Sequence, residues 1–214
     1  MNQRPTFRAL LAMLAASTVL LAGCATPDKP TRAVLYDFGP GTTTPATTPA
    51  GSALPLVLGD IDASSALDGT SLNYRLGYAD SNQLRPYAQA RWSAPPPQLI
   101  RQRLREILGR DRPVLDLGES AALAREGGMM PRVLRIELEE FSHLFQSQTA
   151  SVGLVRMRAT LLENTPAGEK LLSQRRVIVN APAPSADAAG GVRAMSDAVN
   201  SAGAEIAQWL AQQR

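Results

Sequence analysis

The chain holds a single cysteine and a single histidine in 214 residues. With Cys24 alone, neither an intramolecular disulfide nor a cysteine-rich metal site can form, so an exported domain of this sequence draws its stability from its core. With His143 alone, most histidine metal sites are excluded and histidine-dependent catalysis is a narrow option. Aromatic residues make up 5% of the chain and are not interleaved with basic ones, which argues against a stacking surface for single-stranded nucleic acid. No glycine-rich phosphate loop ends in Lys-Ser or Lys-Thr, and no G-x-G-x-x-G joins a strand to a helix, so no nucleotide site is read. A long apolar run is missing too. Leu10 to Ala22 is too short and too alanine-rich for a transmembrane helix, which needs about 20 apolar residues.

What is present begins with that run. Arg4 and Arg8 precede it, and it closes in Leu21-Ala22-Gly23-Cys24. A charged start and an apolar middle make a secretory leader. Small residues directly before the lone cysteine turn it into a bacterial lipoprotein signal. Cleavage there would leave Cys24 first in the mature chain, its sulfur carrying a diacylglyceryl group. Each buried methylene contributes about 0.8 kcal/mol and one acyl chain binds only marginally, so two or three chains on Cys24 make attachment effectively permanent. A plain secretory signal fits the leader but leaves the position of Cys24 unexplained. Ala25 stands where, in the common sorting scheme, an Asp would hold a lipoprotein at the inner membrane. The expected location is therefore the periplasmic face of the outer membrane, with the inner membrane as the alternative.

Removal of residues 1–23 leaves 191, enough for one domain with a proper core. Of the 22 basic side chains two leave with the leader, and the remaining 20 face 19 acidic ones. A mature chain so close to neutral offers no charge argument for a nucleic-acid partner. Residues 24–32 read as a lipidated tether with Pro27 and Pro30, and residues 33–214 as a single domain. Within it, residues 39–53 are rich in Thr, Pro, Ala and Gly, cannot bury apolar surface, and are expected to form a flexible loop. The loop lies inside the domain because Ala33 to Phe38 already reads as a strand.

The expected fold class is α+β: a mixed, mainly antiparallel sheet with two main amphipathic helices packed on it. Leu54 to Asp62 alternates as a second strand. Asp68-Gly69 signals a turn, and Leu72, Tyr74 and Leu76 share a face of the strand returning from it. Leu84 to Trp92 is extended but interrupted by Pro86, which confines it to an edge or to partial pairing. Pro95-Pro96-Pro97 opens a helix with Leu99, Ile100, Leu104, Ile107 and Leu108 on its apolar face, ended by Gly109. Its arginines between Arg101 and Arg110 read as a solvated face paired with Glu106, with anionic lipid as the rarer reading. Val114 to Leu117 is a short strand, and Gly118 to Met130 is the least legible segment.

Arg132 to Gln148 is a long strand in which Leu134, Ile136 and Leu138 alternate with Arg135, Glu137 and Glu139. The apolar set then shifts parity to Phe141 and Phe145, which predicts a bulge close to Glu140. Ser151 to Leu162 alternates as its partner, residues 164–168 make a hairpin turn, and Lys170 to Asn180 returns. Residues 132–180 thus read as an antiparallel meander. Beyond Pro182 and Pro184, Ser185 or a neighbour caps a last helix to about Leu210. Val192, Met195, Val199, Ala202, Ile206 and Trp209 recur there at steps of three and four. Such a stripe packs on the sheet by default, or meets a partner helix.

Candidate chemistry is thin. Glu137, Glu139 and Glu140 form an acidic cluster, but the face holding Glu137 and Glu139 reads as solvent rather than as two carboxylates across a cleft. His143 has Ser142 beside it, yet neighbours in a strand point to opposite faces and cannot form a dyad. No catalytic set, metal site or cofactor is assigned.

Several short motifs, in order, carry a resemblance. They are the lipobox, Tyr36, Leu67-Asp68-Gly69, Tyr74-Arg75, Arg91-Trp92-Ser93-Ala94-Pro95, Glu139-Glu140-Phe141, the hairpin at Gly168 and the closing Ala207-Gln208-Trp209-Leu210. In their order and spacing the chain resembles the ABC-type transport auxiliary lipoproteins, the group that includes the paraquat-inducible (PqiC-like) proteins. The Thr/Pro insert at 42–50 departs from it. The resemblance implies a non-enzymatic, lipid-anchored periplasmic component of an ABC transporter with mammalian-cell-entry (MCE) domains, moving phospholipid or another hydrophobic solute between membranes. It implies an MCE-domain protein as partner and allows assembly with further copies of the same chain. It singles out Asp68, Gly69, Tyr74, Arg75, Arg91 and Trp92 as a partner surface or as residues that define the fold. Two other classes stand beside it: an envelope-maintenance or outer-membrane assembly lipoprotein, and a lipoprotein hydrolase.

Overall fold

The structure is a computed structural model that describes residues 32–41, 55–116, 118 and 130–213. The leader, Leu21, Ala22, Gly23 and Cys24, residues 42–53 of the expected loop, Leu54 at the start of the expected second strand and nearly all of 117–129 lie outside the described residues. One compact unit spans Ala33–Arg214.

The described elements run in the order β1 (Val34–Tyr36), β2 (Leu56–Ala63), β3 (Ser71–Leu76), α1 (Gly77–Asp80), β4 (Ser81–Trp92), α2 (Pro96–Leu108), β5 (Val114–Leu115), β6 (Arg132–Phe145), β7 (Ser151–Thr165), β8 (Gly168–Pro182) and α3 (Ala188–Ala211). They build an α+β fold, a mixed and mainly antiparallel eight-stranded sheet carrying α2 and α3.

Strand β6 is the spine of the sheet. Along one edge it pairs antiparallel with β7 over nearly its whole length, Val133 opposite Leu162 and Phe145 opposite Ser151. Its other pairings are with two different strands in succession. Residues 132–138 run parallel to β2, and residues 143–145 run parallel to β3. The sheet therefore forks, with β5 beyond β2, and β4 and β1 beyond β3. The pairing of β6 with β7 shifts register between Leu138 and Glu140, the bulge that the change of apolar parity predicts. Before it Leu134, Ile136 and Leu138 are buried; after it Phe141, His143 and Phe145 are. The meander also stands as expected, β7 turning into β8 between Thr165 and Gly168.

Local expectations hold less well in the first half. Asp68-Gly69 does not make a β2–β3 hairpin; both strands pair with β6, which local turn chemistry cannot reveal. A single helical turn, α1, links β3 to β4. Pro86 lies in β4 opposite Asn73, next to a register shift that leaves the pair irregular, consistent with partial pairing.

Both long helices form where the sequence places them. Helix α2 begins on Pro96 and Pro97, whose missing donors cost nothing in a first turn. The N-cap of α3 is Asp187, its Oδ1 accepting the Gly190 N–H at 2.7 Å. The six stripe residues Val192, Met195, Val199, Ala202, Ile206 and Trp209 are all buried against the sheet. The two helices meet at Gly203, where a Cβ would stand 2.6 Å from Ile107 Cδ1 and 3.1 Å from Leu104 Cδ2, so a larger residue would make the tip of Ile107 move aside. An aromatic knot closes the core under α2. Trp92, 1% exposed, lies 5.4 Å from both Phe38 and Phe141 by ring centroid.

Contrary to their pattern in the sequence, the arginines of α2 do not all face solvent. Arg103 is not part of a solvated face; it is buried, with its guanidinium donating to the Phe38 and Gly39 carbonyls at 2.6 and 3.1 Å. Arg101 donates to the Leu58 and Gly59 carbonyls and pairs with Asp60. A guanidinium presents several donors in a fixed fork, so each of these side chains ties its helix to two successive carbonyls of another segment. The expected pairing with Glu106 is made by Arg103, at 3.6 Å.

Candidate functional site

His143 is fully buried at the junction of β3, β4, β6, β7 and the start of α3. Its Nδ1 is 2.8 Å from the Tyr87 hydroxyl and its Nε2 is 2.7 Å from Ser151 Oγ. The ring is flanked by Phe145 at 4.4 Å and stacked towards Tyr87 at 6.2 Å, with Tyr74 a further 4.7 Å from Tyr87. Gly191 of α3 abuts the imidazole so closely that a Cβ there would collide with it. Ser142 plays no part in this arrangement, in keeping with its opposite orientation.

A neutral imidazole offers one donor and one acceptor, and two hydroxyls can satisfy both. Burial holds His143 in that state, lowering its pKa to about 4, against a smaller opposing pull from Asp187. Burial also pushes Tyr87 up, helped by Tyr74 and Asp187. Asp187 is held below the usual carboxylate range, first by the Gly190 N–H and then by the Ser185 hydroxyl. Near neutral pH the imidazole is a poor proton acceptor, with both nitrogens occupied and no exposed surface of its own. The cluster fastens three strands to a helix start.

The acidic cluster is neutralised rather than poised. Glu140 receives both arms of the Arg75 guanidinium at 3.0 Å, and Arg75 also donates to the Ser81 and Asn82 carbonyls. Glu139, read from the sequence as facing solvent, is instead covered by three arginines. Arg158 lies at 2.5 Å, Arg156 at 3.2 Å and Arg176 at 3.6 Å. The Arg156 Nε is close enough for an ion pair but is not aligned for a hydrogen bond. Glu137 pairs with Arg158 at 3.1 Å in more open surroundings. Glu139 and Glu140, on either side of the register shift, thus belong to separate charged groups, one with Arg156, Arg158 and Arg176 and the other with Arg75. Among the described residues no group of three or more His, Cys, Asp or Glu side chains could hold a metal ion. A cleft of about 380 Å³ between β2 and the start of α2 is lined by Asp60, Asp68, Pro97 and Arg101 among others.

The family described as the ABC-type transport auxiliary lipoprotein component matches residues 36–207. The chain belongs to that family. A crystal structure of protein XCC0632 from Xanthomonas campestris superposes with a TM-score of 0.67 at 18% identity, covering 85% of this chain and 98% of that one. An uncharacterised protein of known structure follows at 0.60 and 15%, covering 84% and 99%. These two likenesses concern the fold. Among curated proteins, none matches.

The residues that carry the likeness to the auxiliary lipoproteins fall into two groups. Trp92 is core, Tyr74 packs on Tyr87 and Phe145, and Arg75 holds Glu140. Arg91 donates to the carbonyls of Tyr87 and Ala90. Asp68 and Gly69 are exposed, Asp68 on the cleft beside α2. The structure thus joins Tyr74, Arg75 and Arg91 to the strands around His143, and leaves Asp68 and Gly69 apart. Tyr87 and Ser151 complete the histidine cluster. No spacing in the sequence marks either of them, since they are 56 and 8 residues away from His143.

Proposed function

We propose that this auxiliary lipoprotein is a non-catalytic part of an ABC transporter with MCE domains, moving phospholipid or another hydrophobic solute across the periplasm. In this reading Cys24 is acylated and holds the domain at the periplasmic face of the outer membrane, and the domain binds an MCE-domain protein. The observation that carries it is the extent of the family match, from Tyr36 almost to the end of α3. The side chains support it. His143, Glu139 and Glu140, the groups best suited to chemistry, are each tied into internal pairs. Among the described residues no helix is long and apolar enough to cross a membrane, so a membrane role for this part of the chain rests on attachment or on partners.

The test is a crosslinking pull-down from membranes with the native chain and with Cys24→Ser. The native chain should recover an MCE-domain protein, and the variant should leave the membrane fraction. Recovery of outer-membrane assembly machinery alone would overturn the transport reading. Hydrolase activity lost on changing Glu139 or His143 would overturn the non-enzymatic one.

A further inference from the structure

The first described strand carries apolar surface that the core does not use. In β1, Val34 is 53% exposed and Leu35 62%. Successive side chains in a strand point to opposite faces, so exposure of both means that the strand's edge, and not one face of the sheet, is the apolar feature. Among the described residues β1 pairs only with β4, which leaves its outer edge without a strand partner. Exposed Arg32 precedes it, and Leu35 stands opposite Arg91 of β4. Apolar side chains set beside basic ones are the make-up of segments that lie in a lipid headgroup layer.

Position along the chain adds a second argument. Val34 follows Cys24 by ten residues. Ten residues at full extension span at most about 33–36 Å. An anchor at Cys24 therefore keeps this edge near the bilayer at all times, and a connection this short gives an effective concentration of about millimolar. A contact too weak to hold a free protein is then well populated.

Resting on the reading that Cys24 is acylated, we propose that the β1 edge, Val34 and Leu35 with exposed Arg32 before them, docks on the lipid surface that holds the anchor. The depth is limited. Unpaired backbone N–H and C=O groups do not enter hydrocarbon, so the edge rests at the boundary of headgroups and acyl chains. The exposed cation of Arg32 makes the contact stronger on anionic lipid.

Acylation of Cys24 consumes the only native thiol, so any introduced cysteine is the sole label site. Val34→Cys and Leu35→Cys in the full-length acylated chain, each bearing a nitroxide, are compared in phosphatidylethanolamine–phosphatidylglycerol vesicles with Ile178→Cys. Ile178 is 54% exposed on β8, away from β1 in the sheet. Power-saturation spectra with oxygen and a nickel chelate should show a several-fold higher oxygen-to-nickel accessibility ratio at 34 and 35 than at 178. The ratio should fall in phosphatidylcholine vesicles. Labels at 34 and 35 as open to nickel as the control, or shielded from both reagents as in a protein contact, overturn the docking. Flotation of the same samples separates the premise: a chain that does not float with the vesicles refutes anchoring and removes the docking with it.

Discussion

The buried histidine makes stability depend on pH in a way that can be worked out in advance. Folded, His143 has a pKa lowered to about 4 by burial. Unfolded, it returns to about 6.5. Between these values the unfolded chain binds a proton that the folded chain does not, so stability falls as pH drops from about 6.5 and levels off below about 4. The whole gap corresponds to about 3 kcal/mol, and the part between pH 7.5 and pH 5 to about 2 kcal/mol. Because His143 is the only histidine, no other imidazole contributes. Urea denaturation of the Cys24→Ser chain across that range, beside the same chain with His143→Gln, isolates the effect and cancels the carboxylates common to both. The His143→Gln chain should be weaker at pH 7.5 and should lack the extra slope. The ring C–H resonance of His143 should not titrate above pH 5. A resonance that titrates near 6.5, or an equal slope in both chains, would refute the account of the cluster.

Three further outcomes follow from the packing. Arg75→Ala should cost about 2–3 kcal/mol in urea denaturation, because it leaves the Glu140 carboxylate buried and unpaired. Adding Glu140→Ala should recover much of that loss, and a fully additive double variant would argue against the pair. Gly191→Ala should lower stability by about 1–3 kcal/mol despite alanine's better helix propensity, since the new methyl meets a ring fixed at both nitrogens; a rise in melting temperature would contradict this. Trp92→Ala should cost about 3–5 kcal/mol by removing the centre of the aromatic knot, measured by the same denaturation.

What the sequence made legible was whatever depends on period. The stripe of α3, the alternation of β6 and β7, and the change of parity that marks the bulge are all local patterns, and each appears in the structure where the residues put it. The fork of the sheet was not legible. Whether β3 turns back on β2 or joins β6 is decided by partners about 70 residues away, and Asp68-Gly69 is compatible with either. The same limit hid the histidine cluster, whose members become neighbours only through strand register. Arg103 was misread for a different reason. A helix face rich in arginine reads as solvated, but the chain after β1 crosses over α2 and takes one of those guanidinium groups for its own carbonyls.

The narrowness of β1 has a mechanical side. A pull on the segment before it reaches β1 ahead of every other strand, and β1 is held to β4 by only three residue pairs, Val34 with Ala90, Leu35 with Arg91 and Tyr36 with Trp92. Under load this short strand peels first and adds about 10 Å of slack at the usual strand rise. The next stop is firm, because Arg103 grips the carbonyls of Phe38 and Gly39 while its own helix is packed into the core. The first few residues of the domain can thus lengthen under a pull without unravelling the sheet.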